Sequence, residues 1–267
     1  MKIIRKLINF KDGVIRKIYF FFFIKKYNYL KYHTKQVNIF KTLNLNRQLG
    51  KEKLNLTFKD INFHSSKRSM SSEHEVFFSS LSASNDFKIN KILEIGTHDG
   101  FNSLLLSHLF PNAKVDTIDL QSSDKNFINF YDRKYKIDDF LKKRNNFLSK
   151  SSNINFYEMN SLKLIGSKNK YDLIWIDGAH GYPVLCIDII NSLNIINRNG
   201  LILCDDVYIN KVKNDNMYYS NAAFETLNAL SEEKIINFKL IYKRLSAKDN
   251  CLEKYRKYIA IIKKTNW

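Results

Sequence analysis

Five short apolar runs, each closed by a glycine, an acid or an amide, constrain this chain more than any other feature. They are "KINKILEIG" (88–96), "AKVDTIDL" (113–120), "INFYEMN" (154–160), "YDLIWID" (171–177) and "GLILCDDV" (200–207). Their length and their Ile, Leu and Val content read as buried strands. Helical patterns lie between them: "FNSLLLSHLF" (101–110), stopped by Pro111, and a second over Pro183–Ile196. Strands that alternate with helices predict a parallel, doubly wound sheet. Two late runs, "NFKLIYKRL" (237–245) and "KYIAIIKK" (257–264), follow one another without a long helix and predict an antiparallel edge. The stretch "SSEHEVFFSSLSAS" (71–84) opens this body as a helix, with Ser72 and Glu75 at capping-box spacing.

Charge divides the chain. Its 267 residues carry a formal net charge of +18. Residues 1–70 hold 17 Lys/Arg against 3 Asp/Glu, whereas residues 71–267 hold 27 against 23. The sequence thus splits into a basic extension and linker (1–70) and a nearly neutral body (71–267). Ile4, Leu7, Ile8, Ile15 and Ile18 fall near helical spacing among basic residues. Three partners suit such an arm: an anionic membrane surface, the body or a second subunit of a homo-oligomer, and nucleic acid. Residues 41–69 read as an irregular link. The apolar run "IYFFFFI" (18–24) is too short to span a bilayer, which needs about 20 residues, and no small-residue cleavage site follows it. The three cysteines, Cys186, Cys204 and Cys251, form no CxxC spacing, so neither a zinc cluster nor a disulfide framework is implied. These features together predict a cytoplasmic protein with a peripheral contact at the inner membrane face.

The first candidate site is "LEIGTHDGFNS" (93–103), where a strand turns into a helix. Glycines in such a turn let backbone N–H groups approach a ligand closely. The spacing is E-x-G-x-x-x-G, wider than a pyrophosphate cradle, and it suits a nucleoside that carries an amino-acid tail. Asp119, ending the second strand, is placed to accept ribose hydroxyls. Glu94, Gly96, Thr97, Gly100 and Asp119 are therefore the candidate cofactor residues. Asn160 and Ser161 at the end of the third strand, and Asp177 at the end of the fourth, complete the set.

The second candidate site is built from strand ends. Asp177 closes the fourth strand, His180 follows three residues later, and Asp205 with Asp206 close the fifth. Neighbouring strand ends lie about 5 Å apart. Three carboxylates at that spacing repel unless a cation joins them, and hard oxygen donors suit Mg²⁺. On this reading Asp177, Asp205 and Asp206 hold the metal, which acidifies a substrate hydroxyl, and His180 is the general base. A vicinal diol would chelate such an ion best. The Asn- and Tyr-rich segment Tyr208–Phe224 is the candidate acceptor lid.

These residues carry a resemblance. "EIGTHDG" is similar to the first motif of the class I S-adenosylmethionine-dependent methyltransferases, and the likeness runs over residues 72–267. It implies a Rossmann-like, mostly parallel seven-stranded sheet with an antiparallel edge strand, beside the basic N-terminal helical extension. It also implies that Gly96 and Gly100 flank the cofactor's methionine tail and that Asp119 holds its ribose. That family usually has an acid where this chain has Asn160. More narrowly, "IDGAHGYPVLCIDI" with "GLILCDDV" resembles the metal-dependent sugar O-methyltransferases of the macrocin type, methyltransferase family 24. There an Asp-x-x-His pair follows the fourth strand and two consecutive acids follow the fifth. The likeness implies metal ligands at Asp177, Asp205 and Asp206, a base at His180, and a sugar or lipid-linked glycan acceptor. Two other readings stand beside it: an RNA methyltransferase that uses the arm on phosphates, and a scaffold that binds cofactor without catalysis.

Overall fold

The computed structural model describes residues 27–63, 72–129, 133, 136–211, 216–217, 219–250 and 252–265, with Val14, Ile18, Phe20, Phe21 and Ile24 before them. The proposed amphipathic pattern of residues 1–26 falls almost wholly outside the described residues. Seven strands form one sheet: β1 (Lys91–Ile95), β2 (Lys114–Asp119), β3 (Ile154–Glu158), β4 (Tyr171–Ile176), β5 (Ile196–Val207), β6 (Ile236–Tyr242) and β7 (Tyr258–Lys264). Their spatial order is β3-β2-β1-β4-β5-β7-β6. The β3-to-β5 block is parallel, and β7 runs antiparallel to both of its neighbours. The antiparallel strand is thus one place in from the edge, and β6 is the edge itself.

Each central strand feeds two cores because successive side chains point to opposite faces. Ile92, Leu173, Trp175, Leu201 and Leu203 enter one core. Their neighbours Leu93, Ile174, Ile176, Ile202 and Cys204 enter the other. The second core is covered by α6 (Val184–Ile195) and α7 (Ala222–Glu232). The first is covered by α1 (Tyr29–Lys41), α2 (Arg47–Asp60), α3 (Glu73–Ser82) and α4 (Phe101–Leu109), and α5 (Ile137–Leu148) closes its end through Phe147.

The segment expected to be an irregular link therefore folds differently. Most of residues 41–63 is helix α2, and it joins the core of the body. Phe40, Leu45, Leu54 and Phe58 are buried there, each worth about 2 kcal/mol or more, so apolar contact, not charge, holds the segment. The charged side chains are absorbed too: buried Arg47 donates to Glu73 Oε1 at 2.7 Å and Oε2 at 2.8 Å. Gln36 accepts from Tyr242 N at 2.9 Å and donates to Tyr242 O, so α1 satisfies backbone groups at the β6 edge. Gly50 lies mid-helix where α2 meets α3. A Cβ there would fall 2.7 Å from Val76 O, which no side chain tolerates. The link looked irregular in sequence because such a glycine and four asparagines weaken its helical pattern.

Helix α3 starts where expected, but Ser72 makes no side-chain cap bond, so the capping box is not formed. Among the described residues, no helix is long and apolar enough to cross a membrane.

Candidate active site

A cavity opens at the carboxyl ends of β1, β2 and β4. Its wall includes Gly96, Asp119, Asn160, Ser161 and Asp177, all sequence candidates. The turn after β1 is pinned to β2: Gly96 N and Thr97 N both donate to Ile118 O, at 2.9 and 3.2 Å. Gly96 has a φ of 104°, and a Cβ on it would sit 2.4 Å from Asp177 O. Glycine is thus required where β1 and β4 converge on the cavity floor.

Asp119 is hydrogen-bonded by two backbone N–H groups. His98 N donates to its Oδ2 at 3.0 Å and Leu120 N to its Oδ1 at 2.8 Å. Arg133 stands 3.7 Å away, its guanidinium stacked over Phe127 and Phe140. Burial raises the Asp119 pKa against the pull of Arg133 and the two N–H groups. Each carboxylate oxygen keeps lone-pair capacity for a ligand hydroxyl.

Three candidates sit behind the wall. Glu94 is 1% exposed and accepts from Asn102 at 2.8 Å, from Thr117 at 2.6 Å and from Ser103. Burial pushes its pKa up to about 7. It joins β1 to β2 and α4. Thr97 is buried against Thr117, with 2.7 Å between their hydroxyls. Gly100, with a φ of 80°, is the N-cap of α4. None of the three is among the cavity-lining residues.

The cavity also has members that the sequence reading missed or treated as structural. Arg133 and Met217 are two of them. A third is Asp188, on α6, which is 1% exposed. Burial pushes its carboxyl up to about 6, offset in part by the nearby Ser161 hydroxyl. Asn160 has committed its Oδ1 to Leu162 N at 2.9 Å. Asp188 thus brings a carboxylate to the cavity from a different element than the family pattern suggests. Sequence offered only a faint sign, an acid amid the apolar residues of a helix.

The second set of acids does converge. Asp177 follows β4, and Ile176 pairs with Cys204, so Asp177 meets Asp205 across the sheet. His180 Nε2 lies 3.7 Å from Asp177 Oδ1 and 3.9 Å from Asp206 Oδ2. Its backbone N–H donates to Met217 O at 2.7 Å, which anchors the loop to the 216–219 segment. His180 itself does not line the cofactor cavity, but Asp177, Gly178 and Ala179 do.

The cation between these acids is a lysine. Lys243 Nζ donates to both Asp205 Oδ2 and Asp206 Oδ1. Lys257 Nζ donates to Asp206 Oδ2 at 2.5 Å. Burial raises both carboxyls, but the Lys243 ammonium, together with His180 and, for Asp206, Lys257, more than offsets it and holds Asp205 and Asp206 below the usual range. Asp177 shifts upward, through burial and then the charge of Asp205. Its side chain is 36% exposed, so water in the cavity moderates the burial effect. Burial lowers the His180 pKa despite the nearby carboxylates, leaving the imidazole neutral near pH 7.

These residues do not fit the divalent ion expected from the sequence. Three of the four oxygens of Asp205 and Asp206 are already bound to ammonium groups. Among the described residues, no group of three or more His, Cys, Asp or Glu is arranged to hold a metal. The late strands were expected in sequence, but nothing there showed that β7 would insert between β5 and β6 and that Lys243, just after β6, would reach the acids at the end of β5.

The S-adenosylmethionine expected at the first site does fit. The glycine cradle at Gly96, the remaining acceptor capacity of Asp119 and the buried carboxylate of Asp188 face one cavity.

Comparison with known proteins agrees. Residues 93–207 match the model of the family 24 methyltransferase domain. No curated protein matches the chain. Among solved structures, the chain is similar to a putative O-methyltransferase from Klebsiella pneumoniae, with a TM-score of 0.50 and 13% identity over 89% of this chain and 99% of that one. It is also similar to cofactor-bound Rv0187 from MTB, with a TM-score of 0.50 and 16% identity over 80% of this chain and 89% of that one. At such identities the structural likeness speaks for the fold, and the matched domain speaks for the chemistry. Residues 93–207 thus match a methyltransferase domain, and the fold around them is like that of a putative O-methyltransferase.

Proposed function

We propose that this enzyme methylates a hydroxyl oxygen of a sugar or glycan. One observation carries the reading: His180 stands between Asp177 and Asp206, next to Ala179 of the cavity wall. S-adenosylmethionine supplies an electrophilic methyl group on a sulfonium. Gly96 and the β1 turn would hold backbone close to it, and Asp119 would accept from its ribose. His180 Nε2 would take the proton from the acceptor hydroxyl as the new O–C bond forms and the sulfonium S–CH3 bond breaks, with S-adenosylhomocysteine as the leaving group. The Asp206 carboxylate, 3.9 Å away, balances the imidazolium that results. Positioning two substrates in line contributes much of the remaining rate.

A sugar acceptor suits the surface beside His180. Tyr182 is 76% exposed, and half-buried Tyr219 is held edge to face, 4.7 Å away, by the buried ring of Tyr208. Aromatic faces and amide groups bind the apolar and hydroxyl sides of a sugar ring respectively. Magnesium has no part in this mechanism, because Lys243 holds the position it would need. Of the basic residues 1–40, those ahead of α1, which itself packs on the body, are assigned to contact with an anionic membrane surface, where lipid-linked glycans would be met.

The test is methyl transfer from labelled S-adenosylmethionine to a panel of nucleotide sugars and glycans, with RNA as a parallel arm. Transfer to sugar hydroxyls that His180→Ala abolishes supports the reading. Transfer to RNA alone would replace it.

A further inference from the structure

Resting on the methyltransferase reading of this site, we propose that Lys243 is its built-in cation. The ammonium takes the place between Asp205 and Asp206 that a divalent ion would fill, and the enzyme works without one. Lys243 is the residue after β6, and its side chain is 10% exposed. It is held from both sides: its N–H donates to Lys257 O at 3.0 Å, and its carbonyl accepts from Glu73 N at 2.9 Å. The ammonium is therefore placed by backbone pairing of the β6–β7 hairpin and by helix α3. It is not a surface lysine that has wandered inward.

The charge balance is local. Two ammonium groups, Lys243 and Lys257, face the three acids Asp177, Asp205 and Asp206, whose strand ends meet across the sheet. Mg²⁺ needs about six oxygens at 2.0–2.1 Å. Only Asp205 Oδ1 lacks a hydrogen-bond partner in this pair of residues. A divalent ion would have to expel a buried, doubly bonded ammonium to enter. Asp206 sits at a φ of 53°, a left-handed conformation that aspartate tolerates when its side chain is tied down. Lys243 and Lys257 provide that tie. They hold Asp206 toward His180, which makes Lys243 a positioning residue for the base.

Mn²⁺ binding to the full-length protein, read by calorimetry, tests this. The proteins compared are the wild type, Asp205→Asn, Lys243→Met, and Lys243→Met with Asp205→Asn. The wild type should bind no Mn²⁺ at the cluster. Lys243→Met should bind it at least about a hundredfold above the detection limit that the wild type fails to reach, since removing one partner of a buried pair leaves the carboxylates without their cation. The double variant should lose that binding. Wild-type binding that Asp205→Asn abolishes would overturn the proposal, and so would equal binding by the wild type and Lys243→Met. Should Lys243→Met not fold, the comparison of wild type with Asp205→Asn still decides. A parallel titration with S-adenosylhomocysteine reports on the methyltransferase reading itself, so the two failures are distinguishable.

Discussion

The two halves of the sheet's carboxyl rim treat acids in opposite ways. At the β1–β2 end, Asp119 is oriented by two backbone N–H groups and faces an open cavity. At the β4–β5 end, Asp205 and Asp206 are bound by two side-chain ammoniums in a closed cluster. A backbone donor orients a carboxylate yet leaves its outer lone pairs for a ligand. A lysine neutralises the carboxylate and occupies the space beside it. The first half is therefore built to bind, and the second to hold a base in place.

The largest expected effect falls on the closed half. His180→Ala should lower turnover by about 10²- to 10⁴-fold with little change in S-adenosylhomocysteine affinity, measured by single-turnover kinetics and calorimetry. A variant that turns over normally would remove the base from this rim. Lys243→Met leaves Asp205 and Asp206 short of a partner and should cost about 3–5 kcal/mol of stability. Thermal unfolding with and without Mn²⁺ measures that cost, and an unchanged melting temperature would mean the ion pairs contribute nothing.

Glu94, behind the open half, gives a pH effect. Burial raises its pKa to about 7 in the fold, against 4.5 for an ordinary glutamate. The folded state thus binds the proton more tightly. The associated stability is complete below pH 4.5 and is lost as pH rises through 7, by about 3 kcal/mol. Denaturant unfolding of the wild type should show this slope, and Glu94→Gln should flatten it. The smallest effect is on binding: Asp119→Ala should weaken S-adenosylhomocysteine by about 2 kcal/mol, near thirtyfold, with the melting temperature of the unliganded protein little changed. Equal affinity would move the ribose away from Asp119.

The open half was the more legible in sequence because its parts are close along the chain. Gly96 and Asp119 belong to one strand–helix–strand unit, and the glycine turn announces itself. Even there, Glu94 and Thr97 read as ligands although they brace the turn from behind, since sequence does not say which way a strand-end side chain points. Asp188 was missed as a cavity residue because its helix places it there from 28 residues beyond Asn160. Helix α2 was missed because its helical pattern is weak, and only its packing against α3 and the sheet makes it a helix.

What the amino-acid order determined by itself is local: apolar runs of strand length, helices between them, and an acid, amide or glycine at each strand end. Those follow from side-chain periodicity and from the backbone limits of glycine and proline. The tertiary structure alone decided which strand ends meet. β7 inserts between β5 and β6, and Lys243 arrives beside Asp205, 38 residues away along the chain. Carboxylates in a row call for a cation on electrostatic grounds, but the source of that cation depends on the strand order. Strand order is a property of long-range packing, which no local pattern encodes.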